Sequence, residues 1–172
     1  AQVKAMKKVA GQLKLSLSQF RDLEAFAAFA SDLDAASRAQ LERGTRLVEL
    51  LKQPQYSPFP VEEEVVSIWA GTTGQIDDVP VEDVRRFESE FLDYLRRDHA
   101  GLLGAIRETK RLNDDDITAL KDAIDRFRRG FEVTGGQLLV SDEEPVDAIS
   151  EDETSRDSVA KYAQSTPPAD GE

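Results

Sequence analysis

A chain of 172 residues is long enough for one hydrophobic core with or without a tail, and 34 acidic against 22 basic residues give it a formal charge of −12. That balance argues against binding a phosphate backbone, which needs clustered Lys and Arg. The lack of cysteine removes disulfides, thiolate metal sites and a thiol nucleophile, and a single histidine removes His-rich centres. No run of about 18 apolar residues is present, so no direct membrane insertion is expected. The first residues carry Lys4, Lys7 and Lys8 but no signal-peptide core. Beginning in mid-pattern without Met or cap, the N-terminus reads as cut.

Apolar residues recur at Val3, Met6, Val9, Leu13 and Leu17 and continue through Phe20, Leu23 and Ala27, which predicts one long helix, bent near Gly11. Its lysines read as a solvated face. In Ser31-Asp-Leu-Asp34, Ser31 or Asp32 is expected to cap the next helix. The same acidic corner, exposed at a helix–helix tip, would also suit a basic partner surface. The second helix has Leu41, Gly44, Val48 and Leu51 as its expected buried stripe, and Pro54 and Pro58 stop it. Gly44 within a helix points to close approach of another backbone. Gln53 and Gln55 read as loop residues on sequence grounds alone.

A short helix is expected over Val61–Ala70, opened by Pro60, with Val61, Val65, Ile68 and Trp69 on one face. Glu62, Glu63 and Glu64 in its first turn suit the macrodipole. Gly71-Thr-Thr-Gly74 lacks the Gly-Lys-Ser/Thr ending of a phosphate loop. The longest helix follows, with Val84, Phe87, Phe91, Leu95, Leu102 and Ile106 as its stripe, and Gly101 and Gly104 are expected to bend or split it. His99 has no nucleophile or acid–base partner nearby in sequence and reads as a bend residue. Asn113-Asp-Asp-Asp116 lacks the ligand alternation and closing Glu of a calcium loop and reads as an N-cap. The helix it caps, Ile117–Arg129, is expected to bury Ile117, Leu120, Ile124 and Phe127. From Gln137 onward there are ten acidic and two basic residues and few large apolar ones, which predicts a mostly disordered acidic tail. Within it, Leu138-Leu-Val140 is placed to dock as a short strand or clamp.

The strings FAAFASDLD, LERGTRLVELLKQPQYSP and VEEEVVSIWAG carry a resemblance. They are similar to the C-terminal domain of the alpha subunit of the F-type ATP synthase, and the match runs from Ala1 to about Glu132. The resemblance implies an all-α bundle of five to seven helices, of left-handed superhelical type, over 1–132, with a flexible acidic extension over 133–172. It implies that Ser31, Asp32, Leu33 and Asp34 face the rotating shaft, and that Gln53 and Gln55 touch the adenine of a non-catalytic nucleotide site. ATP or ADP with magnesium would belong to the intact subunit, and no cofactor or metal to this piece.

The implied partners are the beta and gamma subunits and the subunit's own upstream nucleotide domain, in a peripheral complex on the cytoplasmic face of the membrane that couples ion transport to ATP synthesis. Phosphoryl transfer needs a phosphate cradle, a magnesium-holding set and a charge-stabilising arginine, and the chain has none of these motifs. Catalysis is therefore expected in the parent complex and not in this piece. The family pattern ends before the tail, whose Leu138, Leu139, Val140, Asp142, Glu143 and Glu144 are read as regulatory, restraining ATP hydrolysis. A free-standing helical protein-interaction module is the alternative reading.

Overall fold

The computed structural model describes residues 2–27, 33–52 and 58–140. Among them six α-helices follow one another: α1 (Lys4–Ala27), α2 (Ala35–Leu50), α3 (Val61–Thr72), α4 (Val84–Asp98), α5 (Ala100–Thr109) and α6 (Asp114–Gly130). A short 3₁₀ turn, Val81–Asp83, leads into α4. The fold is all-α, as the periodicity predicts. Ser31, Asp32, Gln53, Gln55, Asp142, Glu143 and Glu144 lie outside the described residues.

One hydrophobic core serves all six helices, and α3 is its centre. From Glu62 to Thr72 every residue but Glu64 is buried, because α3 packs against α1, α2, α4 and α5. Trp69 is a core anchor at 3% exposure. Phe87, Phe91 and Tyr94 of α4 join Phe127 of α6 and Phe131 just past it in an aromatic cluster. Phe87 meets Phe127 and Phe131 edge-on at centroid distances of 5.2 and 5.0 Å, the geometry that ring quadrupoles favour.

Several expectations give way to the packing. The second helix buries Gly44, Leu47 and Leu50, whereas Val48 and Leu51 stay 40% and 43% exposed. From Gly44 the stripe continues on the i, i+3 side through Leu47 rather than through Val48. The close approach at Gly44 is by a side chain, not a backbone. A Cβ there would lie 2.6 Å from the Cβ of Phe20 and closer still to its ring.

The predicted long helix is two helices parted at His99, the residue read as a bend, rather than at Gly101 or Gly104. His99 leaves helical geometry (φ −133°, ψ 33°), and its Nε2 lies 3.0 Å from the Tyr94 hydroxyl. Met6 and Val9 of the first apolar stripe lie in the core, with Val3 packed against it. Val61, assigned to the buried face of α3, is 48% exposed instead.

The chain does not leave the core at α6. Phe131 is buried, the Val133 N–H donates to the Gln137 carbonyl at 2.8 Å, and the Leu139 N–H donates to the Phe131 carbonyl at 2.8 Å. Gly135 and Gly136, at φ +126° and +78°, make the turn between them with a backbone most side chains would strain. Leu139 packs on the core and Leu138 faces out.

Candidate functional site

The acidic corner is built where α1 has ended and α2 begins. Asp34, not Ser31 or Asp32, is the N-cap: its backbone is extended (φ −65°, ψ 163°) and its carboxylate accepts the Ser37 N–H at 2.6 Å. That bond satisfies one of the orphan donors of the first turn. The Ser37 hydrogen bonds also hold the Asp34 carboxyl below its ordinary range, so the exposed tip keeps its negative charge. Leu33 beside it is half-buried, and its carbonyl accepts from the Arg38 guanidinium at 3.4 Å.

Gln53 and Gln55 follow the other end of α2 in sequence and lie outside the described residues. The sixteen residues of α2 run roughly 24 Å at 1.5 Å per residue, a rod with Asp34 at its head. Past its foot Lys52 pairs with Glu49 at 2.5 Å, and Phe59 packs on the core.

Buried charges fix the helices that support this rod. Arg96 of α4 forks onto Glu63 with N–O distances of 2.8 and 2.6 Å, and Arg107 of α5 reaches Glu62 at 2.6 Å. Glu62 and Glu63 thus clamp the two halves of the parted helix to α3, a role that macrodipole compensation alone does not suggest. Asp83 accepts the Thr134 hydroxyl at 2.5 Å and its N–H at 2.7 Å, with Arg86 at 3.1 Å. These donors, Thr134 foremost, hold its carboxyl below the usual range. Glu88 is the opposite case: burial raises its pKa although the Ser67 hydroxyl donates to it. Asp116 accepts the Asn113 N–H at 2.9 Å, closing a capping box at the head of α6.

Two clefts remain. One of about 630 Å³ is apolar, lined by Val3, Pro60, Val61, Val65 and Ile106 with the Glu62–Arg107 pair at its edge. The other, about 300 Å³, lies between α1 and α2, where the Gln40 amide donates to Gln19 at 2.6 Å. Neither holds a nucleophile beside a base. Among the described residues no three His, Cys, Asp or Glu side chains group as a metal site, and no helix is long and apolar enough to cross a membrane.

Comparison with known proteins gives these features a frame. Residues 2–127 match the family model described as the ATP synthase alpha/beta chain, C terminal domain. ATP synthase subunit alpha of Thermobifida fusca is 64% identical over 159 residues, which are 92% of this chain and 29% of that protein. The subunit of the same name from Acidothermus cellulolyticus is 58% identical over 168 residues, 98% of this chain and 30% of that protein. That of Mycobacterium avium is 60% identical over 159 residues, 92% and 28% of the two proteins. The chain thus spans less than a third of the length of these relatives, and the similarity continues past the family model into the acidic region. With its six helices and its match over most of the described residues, it belongs to the family of C-terminal domains of ATP synthase alpha and beta subunits.

Proposed function

We propose that this chain works as the helical domain of an alpha-type subunit in the head of a proton-translocating ATP synthase, bearing on the central shaft through its acidic corner. The observation that carries this reading is Asp34: exposed, kept ionised by its cap, and mounted at the head of α2. A cap needs no exposure, and a contact for a basic surface does. Both roles fit one carboxylate, because its oxygens are open to a partner on the side away from Ser37.

The partners on this reading are the gamma subunit at the corner, the beta subunit alongside and the subunit's own nucleotide domain. Gln53 and Gln55 contact the adenine of ATP or ADP, whose magnesium and phosphates are held elsewhere in the intact subunit. An amide suits that contact, since it offers a donor and an acceptor to a base edge. The complex sits peripherally on the cytoplasmic face of the membrane.

Neutralising the corner tests the shaft contact without removing the cap, because Asn caps a helix about as well as Asp. In the assembled enzyme, Asp32→Asn with Asp34→Asn is expected to lower proton-driven ATP synthesis. Thermal stability should change by less than ~0.5 kcal/mol. Unchanged synthesis would remove the shaft contact from the reading.

The acidic tail extends the proposal. Its charge and length suit a tether that reaches a basic surface of the shaft or of a neighbouring subunit and restrains rotation in the hydrolysis direction. Since Phe131 and Leu139 belong to the core, the deletion that tests this begins at Ser141. Hydrolysis should rise more than synthesis. Equal effects on the two directions would dismiss the tether.

A further inference from the structure

The contacts that α2 makes along its length point to how the corner is held. Arg43 and Arg46 lie three residues apart on one face of the helix. Arg43 Nε donates to both carboxylate oxygens of Asp77 at 2.9 and 3.0 Å, and Arg46 Nε donates to the Val79 carbonyl at 2.7 Å. Both acceptors belong to the connection between α3 and α4, which is itself anchored: Ile76 and Val79 are 2% and 0% exposed. Gly74 of that connection sits at φ +81°, and a Cβ there would fall 2.9 Å from the Arg43 guanidinium and 3.0 Å from the Asp77 carboxylate. On another side of α2, Phe20 of α1 seats against Gly44.

Arg43 and Asp77 are each about two-fifths exposed, and such a pair adds little to stability, ~1 kcal/mol at most. Its forked geometry fixes position instead. An axial slip of α2 by one residue, roughly 1.5 Å, would break the fork and pull Arg46 from its carbonyl.

We propose that α2 is a keyed strut, in which Arg43 and Arg46 are positioning residues that lock it to the α3–α4 connection, so that load on the Asp34 corner reaches the core instead of being lost as sliding of α2. This rests on the reading that the corner meets the shaft. Side chains from two different helical turns hold one connection, one by a carboxylate and one by a carbonyl, so the lock resists rotation of the helix as well as translation.

The test uses the assembled ATP synthase in membrane vesicles and two readouts: amide hydrogen exchange over residues 74–80, and ATP synthesis driven by a proton gradient. Arg43→Ala is expected to speed exchange in that connection and to lower synthesis roughly 2- to 30-fold, the range through which coupling residues act. The charge swap Arg43→Asp with Asp77→Arg should restore most of both, which separates the lock from a folding defect. Should Arg43→Ala leave exchange unchanged, the key does not hold and the strut is overturned. If exchange rises but synthesis is unaffected, while Asp34→Asn lowers synthesis, the strut is overturned and the corner stands. If neither Asp34→Asn nor Arg43→Ala alters synthesis, the shaft reading falls and takes the strut with it.

Discussion

Two carboxylates a few residues apart, Asp83 and Glu88, sit in the same stretch of sequence with opposite electrostatics. Asp83 is buried yet receives three donors, two from Thr134 and one from Arg86, and its folded pKa lies below the unfolded value. Its contribution to stability is therefore present above the unfolded pKa, near 3.9, and is lost as pH falls through the lower folded value. Glu88 receives the Ser67 hydroxyl, but desolvation outweighs that bond and raises its pKa. Its contribution is complete below the unfolded pKa and is lost as pH rises through the folded value. Thermal melts across pH should show both signs. Asp83→Asn should lower the melting temperature at neutral pH and flatten the decline below about pH 4. Glu88→Gln, whose carbonyl can still accept from Ser67, should raise the melting temperature at neutral pH and do little in acid. A parallel pH response of the two variants would contradict the assignment.

Helix pairs show what the sequence can and cannot disclose. Apolar spacing discloses the helical segments, with α4 and α5 read as one, and the openings at Pro60 and Asn113 follow from residue chemistry. Phase is harder. Between Gly44 and Leu51 the sequence offers Leu47, Val48, Leu50 and Leu51, apolar on nearly all sides, so periodicity alone cannot choose which faces α3. The bend at His99 is legible from its place in the sequence, whereas the expectation of a split at Gly101 or Gly104 fails because the backbone turns where Tyr94 can hold the ring. The ion pairs Arg43–Asp77, Arg96–Glu63 and Arg107–Glu62 join residues more than thirty positions apart and leave no periodic trace. Of the corner, composition discloses the acidity but not which oxygen caps.

The seat of Phe20 against Gly44 makes that glycine sensitive to substitution. Gly44→Ala improves helix propensity by about 1 kcal/mol. The new methyl, however, meets not only the Phe20 ring but its Cβ, 2.6 Å away, which no change of rotamer moves. The helices must separate, at a cost of about 1–3 kcal/mol. Denaturant unfolding should show net destabilisation, and adding Phe20→Ala, which removes the ring but leaves the Cβ in place, should recover only part of it. A stabilised Gly44→Ala variant would refute the seat.

At the scale of the molecule, the helical core is closed by the turn after α6. Phe131 stacks into the aromatic cluster beneath the Arg86 guanidinium, 4.4 Å from its ring centroid, and Thr134 supplies the donors of Asp83. A truncation ending at Gly130 loses all of these, while one ending at Val140 keeps them. The shorter form should be less stable than the longer by about 3–5 kcal/mol, the cost of losing a buried phenylalanine, before Asp83 is counted. Equal melting temperatures for the two would show that the turn is decoration.

Lys110 has the one positive φ among the described non-glycine residues, 55°, and its carbonyl accepts the Ala5 N–H at 3.0 Å. The opening turn of α1 therefore finds its hydrogen-bond acceptor not in its own neighbourhood but at the corner between α5 and α6. During synthesis on the ribosome α1 emerges ahead of the other five helices, yet its end is secured only once α5 has followed. Of the six, the earliest made thus waits for the corner after α5 before its opening turn is tied down.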